Sequence, residues 1–112
     1  MDWIKLTQME QLQEIKQQSF AQPQVIFKHS TCCSISSVAL NRLERTEKPA
    51  GIDFYYLDLI ANRNISNAVA ETFQVYHESP QILLIKNGEC IYDESHSGIN
   101  IDDIVQEAFS AN

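Results

Sequence analysis

The sequence predicts a single α/β domain in which a four-stranded mixed sheet is flanked by helices. Helical and strand patterns alternate along the chain, and the strand-type segments are short runs rich in β-branched residues. An Asn-Gly pair in the C-terminal third marks a tight hairpin between two such runs. Because 112 residues suit one compact domain, we assign residues 1–112 to a single unit.

The first half of the chain predicts two helices and two strands. Residues 8–20 carry apolar side chains near helical spacing among Gln, Glu and Lys, which indicates an amphipathic helix. The run Val25–Lys28 is typical of a strand buried on both faces. An apolar stripe over residues 35–43 predicts the second helix, and Pro49-Ala50-Gly51 ends that element. Residues 52–59 are rich in aromatic and β-branched residues and predict the second strand.

The second half predicts a helix, a hairpin and a last helix. Asn62–Phe73 shows helical spacing of apolar residues, and Gln81–Ile85 is another buried-type strand. Asn87-Gly88 predicts the hairpin turn, and Cys90–Tyr92 predicts the returning strand. Residues 100–108 indicate a helix with Asn100 as its N-cap. The predicted order is therefore α-β-α-β-α-β-β-α, with a right-handed crossover between the first two strands.

Charge and cysteine content narrow the possible classes of function. Fifteen acidic and eight basic side chains give a formal charge of −7, which disfavours nucleic acid and anionic membranes as partners. No apolar run approaches the ~20 residues of a membrane-spanning helix, and no secretory signal is visible. Three cysteines are an odd number and do not fit a secreted disulfide scaffold. We therefore expect a reducing compartment, the cytoplasm.

Cys33 is the residue with the clearest chemical potential. It follows the first predicted strand and precedes the second predicted helix, where unpaired amides and the helix dipole favour a thiolate. Ser36 returns to the same helical face three residues later, and its hydroxyl could donate a hydrogen bond to the sulfur. The alternative is that Cys33 is a small buried apolar residue. The polar surroundings of Cys33, five Ser and Thr residues within four positions, favour the reactive interpretation.

Several motifs together resemble a known family. Phe27-Lys28-His29-Ser30-Thr31 precedes Cys33-Ser34-Ile35-Ser36, and His77-Glu78-Ser79-Pro80-Gln81 precedes Ile85-Lys86-Asn87-Gly88. This pattern resembles the YtxJ-type monothiol bacilliredoxins of the thioredoxin-like superfamily. The resemblance covers nearly the whole chain and implies a thioredoxin-like fold. It also implies removal of low-molecular-weight thiols, bacillithiol in particular, from mixed disulfides on proteins, without a metal or organic cofactor.

The resemblance also implies roles for individual residues. Cys33 would be the attacking thiolate, and Ser36 would stand where dithiol relatives have a resolving cysteine. Pro80 would correspond to the cis-proline of the superfamily, although a trans proline at the start of a strand is the simpler interpretation without the family. The backbone of Ser79 would pair with an extended substrate. Thr31 and Ser34 complete the expected substrate-binding residues, which are Thr31, Ser34, Ser79 and Pro80.

Two positions depart from the family pattern, in which the corner motif is usually Cys-Pro-Ile-Ser. Ser34 replaces the proline, which would affect entry into the helix and the pKa of the sulfur. Cys32 directly precedes the expected nucleophile, and a disulfide between neighbours is strained because disulfides prefer Cα atoms ~5.5 Å apart. Cys32 is therefore a neutral substitution, an accessory thiol or an intermolecular partner. Cys32 and Cys33 together with His29 supply too few ligands for a closed zinc site, and we expect no metal.

Other titratable residues near these motifs keep two interpretations. His29, as imidazolium, would lower the Cys33 pKa, but a capping or surface role is equally compatible with the sequence. Lys28 would likewise bring a positive charge near the sulfur, but a solvated strand end is the default interpretation. His77 and His96 are expected on the surface. Cys90 is expected to pack, unless the fold brings it beside Cys33 as a resolving thiol.

The sequence therefore predicts a monothiol thiol–disulfide oxidoreductase acting on proteins that carry mixed disulfides with a small thiol. Two other classes stay open at this point. One is a non-catalytic thioredoxin-like module that binds an extended partner segment. The other is a redox sensor in which a cysteine bridges two chains under oxidation.

Overall fold

The computed structural model describes residues 1–30 and 34–110, except for the side chains of residues 34–36 and 97. Nine helices and strands and one short 3-10 turn are found within these residues. They are β1 (Trp3–Lys5), α1 (Glu10–Gln18), β2 (Gln24–His29), α2 (Ser34–Glu44), β3 (Asp53–Asp58), α3 (Arg63–Phe73), β4 (Gln81–Lys86), β5 (Glu89–Ser95), the 3-10 turn His96–Gly98, and α4 (Ile101–Ala108).

The strands form one mixed sheet in the order β1-β3-β2-β4-β5. The strands β1, β3 and β2 run parallel, whereas β4 is antiparallel to both β2 and β5. In the register of the sheet, Lys28 near the end of β2 lies opposite Leu57 on one side and Gln81 on the other. The carboxyl end of β2 and the amino end of β4 therefore meet at one edge of the sheet.

The predicted number of strands was wrong, because the sheet has five strands and not four. The additional strand, β1, precedes the first predicted element, so the predicted order is incomplete. This strand has only three residues, which is too short to show an alternating pattern. Its place is fixed by tertiary contacts, since it pairs with Phe54–Tyr56 and the Trp3 ring stacks on Phe27 at 5.6 Å between ring centroids.

Each face of the sheet is covered by two helices. Apolar residues of α1 and α3, among them Ile15 and Val69, pack on the face that contains Ile26 of β2. Residues of α2 and α4 pack on the opposite face, which contains Val25 and Phe27. Successive β2 side chains thus point into two different apolar layers, which explains why Val25, Ile26 and Phe27 form an unbroken apolar run in this strand.

The hairpin turn and the last helix form as predicted, because each has a local signal in the sequence. Asn87 and Gly88 both have positive φ, +55° and +84°, as a two-residue turn of type I′ requires, and they join β4 to β5. Asn100 caps α4, where its side-chain oxygen accepts a hydrogen bond from the Asp102 amide at 2.8 Å.

Candidate active site

The strand and the helix that were predicted on the two sides of the corner are both present. The strand ends at His29 and the helix begins at Ser34, the residue after Cys33 in the chain. Thr31, Cys32 and Cys33 lie outside the described residues, as do the side chains of Ser34 and Ser36. The roles of these five residues therefore stay predictions, and the structure describes the surroundings of the corner.

The second predicted segment lies at the same edge of the sheet. The peptide bond between Ser79 and Pro80 is cis, and Pro80 is buried directly before β4. The next residue, Gln81, lies opposite Lys28 in the sheet. Lys28 in turn is two residues before Ser30, the last described residue ahead of the corner. The Pro80 carbonyl accepts a hydrogen bond from the His96 amide at 3.0 Å, which ties the segment to the end of β5.

Lys28 departs from its expected place at a solvated strand end, because its side chain is completely buried. Its Nζ donates a hydrogen bond to Gln81 Oε1 at 3.0 Å and lies 3.1 Å from His77 Nδ1. Burial lowers the pKa of Lys28 to about 8, while the nearby Glu78 carboxylate opposes that shift. The prediction failed because β2 is covered on both faces and the partners of the ammonium lie about fifty residues away in the chain.

Gln81 fastens the segment that leads into β4. Its Oε1 accepts from Lys28 and, at 3.4 Å, from the Glu78 amide, while its Nε2 donates to the Tyr76 carbonyl at 3.0 Å. A single buried amide side chain therefore holds both the start of this segment and Lys28. Neither Lys28 nor Gln81 can shift without leaving a buried polar group unpaired, which costs about 1–3 kcal/mol.

His77 is exposed as expected, but one of its ring nitrogens is directed inward. Its Nδ1 lies 3.1 Å from Lys28 Nζ and 3.5 Å from Ser66 Oγ. Since a lysine ammonium has only donors, Nδ1 accepts, and the neutral ring carries its proton on Nε2. Partial burial, with the Lys28 and Arg63 charges also acting in this direction, lowers the pKa of His77, and Glu78 opposes the shift.

His29 is buried on the other side of β2, so a surface position does not apply, and a capping role at the corner stays a prediction. Its Nδ1 lies 2.8 Å from the Tyr56 hydroxyl, and its Nε2 has no hydrogen-bond partner within the described residues. Burial lowers the pKa of His29, with Asp58 opposing the shift. The ring is therefore neutral at neutral pH, and an imidazolium at this position does not supply charge to the corner.

Cys90 lies at the opposite end of the sheet from the corner. It is paired with Ile85, which in turn lies opposite Gln24 at the start of β2. From there to His29 the strand rises through five steps of about 3.3 Å, roughly 17 Å in all. The partly buried thiol packs against the apolar layer of α1 and α3, and burial raises its pKa to about 11. Packing is thus its role, in agreement with the expectation.

The residues that the sequence analysis missed are Lys28, Gln81 and His77 acting as one polar cluster. A lysine and a histidine directly after Val25-Ile26-Phe27 in a buried-type strand are the signal that could have indicated it. A charged residue inside a strand covered on both faces needs buried partners, and Gln81 occupies the matching position of β4.

Two other kinds of structure, a metal site and a membrane span, are absent from the described ranges. No group of three or more His, Cys, Asp or Glu residues there is arranged to hold a metal ion. No helix there is long and apolar enough to cross a membrane.

Comparison with known proteins gives both a family and a fold. The family model described as monothiol bacilliredoxin BrxC matches residues 4–104. A solved structure provisionally described as an oxidoreductase with a thioredoxin fold is similar at 29% identity and a TM-score of 0.80, covering 96% of this chain and 93% of the other. Thioredoxin from Malassezia sympodialis is similar at 14% identity and a TM-score of 0.74, covering 97% and 92%. Mitochondrial thioredoxin 3 from Saccharomyces cerevisiae is similar at 18% identity and a TM-score of 0.68, covering 95% and 92%. The fold is thus thioredoxin-like.

Proposed function

The chain belongs to the monothiol bacilliredoxin family, and from this membership we propose that it reduces mixed disulfides between proteins and a small thiol such as bacillithiol. Family and fold support thiol oxidoreductase activity in general. The single-thiol reaction, its substrate and its cytoplasmic setting are our proposal.

The proposed reaction is a two-electron thiol–disulfide exchange. The Cys33 thiolate attacks the small-thiol sulfur of the mixed disulfide, a new disulfide forms between these two sulfurs, and the protein sulfur leaves as a thiolate that takes up a proton. A second small thiol or a flavoprotein reductase then releases the adduct and restores Cys33. Ser36 takes part only as a hydrogen-bond donor to the sulfur, so no internal disulfide closes.

The observation that carries the proposal is the start of α2 at Ser34, immediately after Cys33. The first amides of an α-helix have no partner within the helix, and the dipole adds about half a positive charge at that end. This setting lowers the pKa of a thiol below its free value of ~8.5 and raises the thiolate fraction at neutral pH.

In the proposed complex, the substrate chain lies between the corner and the cis-Pro80 segment. Thr31 and Ser34 contact it from the corner, and the backbone of Ser79 pairs with it as an added strand. The pairing of β2 with β4 supports this arrangement, because Lys28, near the end of β2, lies opposite Gln81, the residue after Pro80.

The test compares exchange rates on a protein carrying a bacillithiol or glutathione mixed disulfide. We expect Cys33→Ser to abolish release of the small thiol, whereas Cys32→Ser retains it. Full activity of Cys33→Ser would contradict the proposal. If binding of the modified protein survives Cys33→Ser and the wild type releases no thiol, the chain is a binding module instead.

A further inference from the structure

We propose that His77 and Lys28 form a proton relay that serves the leaving thiolate during the exchange. His77 donates the proton of Nε2 to the sulfur that leaves, and Lys28 replaces this proton at Nδ1. The inference rests on the proposed function and deepens it, because it assigns the proton that the reaction consumes to two described residues. By this assignment His77 is a catalytic residue, and Lys28 is a positioning residue that acts through it.

The geometry provides a continuous path from the interior to the surface. Lys28 Nζ is completely buried and lies 3.1 Å from His77 Nδ1, whereas the His77 ring is exposed. Since His77 is an exposed residue and its Nδ1 contacts Lys28 and Ser66, we infer that the second ring nitrogen, Nε2, is the one available to a bound group. A proton can therefore pass from Lys28 through the imidazole to a group bound at the surface.

The contacts of Lys28 fix the direction of this path. Its ammonium donates to Gln81 Oε1 and to His77 Nδ1, so the imidazole must present its N–H outward. A solvated histidine would populate both tautomers. A buried ammonium behind the ring holds one of them, the tautomer that is a donor toward solvent.

The position in the chain brings this donor to the substrate end of the sheet. His77 lies two residues before Ser79 and three before cis-Pro80, in the segment that Gln81 fastens through the Tyr76 carbonyl and the Glu78 amide. The proposed function places an extended substrate against this segment, so the leaving sulfur is released beside the loop that carries His77.

The proton transfers of this step need no reactant other than solvent. The Cys33 thiolate forms a disulfide with one sulfur, and the other sulfur leaves with the electron pair of the broken bond. It takes the proton from His77 Nε2, and His77 takes one at Nδ1 from Lys28 Nζ, which leaves Lys28 as a neutral amine. Solvent then protonates the exposed Nε2, and the Nδ1 proton returns to the buried Lys28, which restores the starting state. The pKa of about 8 for Lys28 is close to the ~8.5 of a free thiol, so this transfer is nearly balanced.

The charged groups around the relay act in opposite directions. Glu78, whose carboxylate also contacts His96 at 3.2 Å, favours the protonated forms of both Lys28 and His77. Arg63 at the start of α3 disfavours the protonated form of His77, as Lys28 does. The cluster therefore carries one positive charge at neutral pH, on Lys28, while His77 is neutral and keeps a proton on Nε2.

The experiment varies the leaving thiol in disulfide exchange by wild type, His77→Asn and the matched control His96→Asn. The amide oxygen of the introduced asparagine replaces Nδ1 as acceptor for Lys28, so the segment stays fastened while the relay is removed. General acid catalysis typically contributes 10²–10⁴-fold. We expect His77→Asn to lower kcat/KM at least about tenfold for alkyl leaving thiols and less than about twofold for acidic aryl thiols, which leave without a proton.

The variant Lys28→Met supplies a second readout. We expect the ratio of wild-type to Lys28→Met activity on alkyl disulfides to fall as pH rises above about 8, because Lys28 then has no proton to supply. The double variant should lose no more activity than either single variant, since both act on one path. If Lys28→Met does not fold, His77→Asn decides the question alone.

Two results overturn the inference in distinguishable ways. If His77→Asn loses activity equally for alkyl and aryl leaving thiols, or loses none, the cluster is structural and the relay is wrong while the proposed function stands. If the wild type itself exchanges neither kind of disulfide, the proposed function falls, and the relay with it.

Discussion

The hydroxyl of Tyr56 lies 2.8 Å from Nδ1 of His29, and this contact joins β3 to the last residue of β2. His29 is buried against the rings of Phe27 and Tyr56. It is the last residue of β2 and stands four positions before Cys33 in the chain. The contact thus joins two neighbouring parallel strands at the last residue of β2.

We therefore expect Tyr56→Phe to destabilise the protein by about 1–3 kcal/mol, because it leaves a buried imidazole nitrogen without a partner. Urea unfolding measures this change. Tyr76→Phe is the matched control, since Tyr76 is 92% exposed and its substitution should change the free energy of unfolding by less than about 0.5 kcal/mol. Equal stability of Tyr56→Phe and wild type would contradict the contact.

Burial of Lys28 predicts an unusual dependence of stability on pH. The pKa is about 8 in the folded protein and 10.5 for the unperturbed group, so the unfolded chain binds more protons between these values. The contribution of Lys28 to stability is therefore unfavourable below pH 8 and becomes less so as pH rises to 10.5. At about 1.36 kcal/mol per pKa unit, the free energy of unfolding rises by up to about 3 kcal/mol over this pH range.

The measurement is the difference in unfolding free energy between wild type and Lys28→Met across this range. Taking the difference removes the contributions that both proteins share, among them those of Tyr55 and Tyr56, whose pKa values are raised by burial. We expect the free energy of unfolding of the wild type to rise relative to that of Lys28→Met from pH 8 upward. A constant difference would mean that Lys28 is hydrated and not buried.

Cys90 should be a poor nucleophile. Its pKa of about 11 leaves few thiolates at neutral pH, and its side chain is partly covered by apolar neighbours. In the variant Cys32→Ser/Cys33→Ser, where Cys90 is the remaining thiol, we expect iodoacetamide to react slowly at pH 7.5 and faster only above pH 10. Alkylation after unfolding in urea is the control, and rapid reaction of the folded variant would contradict the burial of Cys90.

The hairpin should be sensitive to a side chain at position 88. Gly88 has φ +84°, and an added Cβ would lie 2.7 Å from Cζ of Phe20. We expect Gly88→Ala to cost about 1–2 kcal/mol from the left-handed backbone, plus the contact with Phe20. Urea unfolding of Gly88→Ala in a Phe20→Ala background separates the two causes: the backbone cost stays and the contact is relieved. Wild-type stability of Gly88→Ala would contradict the turn geometry.

The sequence predicted most of the fold because most elements carry a local signal. Four helices, the apolar strands and the turn at Asn87-Gly88 follow from periodicity, capping and turn chemistry. The strand β1 does not, because three residues show no period and its place depends on pairing with β3. A local pattern cannot indicate an edge strand that tertiary contacts alone hold in place.

The same distinction applies to the site. The corner cysteine and the segment before β4 can be recognised from motifs in the sequence, whereas the cluster of Lys28, His77 and Gln81 cannot. The contacts of Lys28 with His77 and Gln81 join residues that are 49 and 53 positions apart in the chain. The prediction of a solvated Lys28 considered the strand alone, and the register of β2 against β4 is what provides the buried partners.

The most direct test of the account is to locate the adduct after one turnover. The reduced protein is mixed with a substrate protein carrying a bacillithiol mixed disulfide, quenched with an alkylating agent and mapped by mass spectrometry. We predict the small thiol on Cys33 in the wild type and in Cys32→Ser, and no adduct in Cys33→Ser. An adduct on Cys32 or Cys90 in the wild type, or release of the small thiol by Cys33→Ser, would contradict the account.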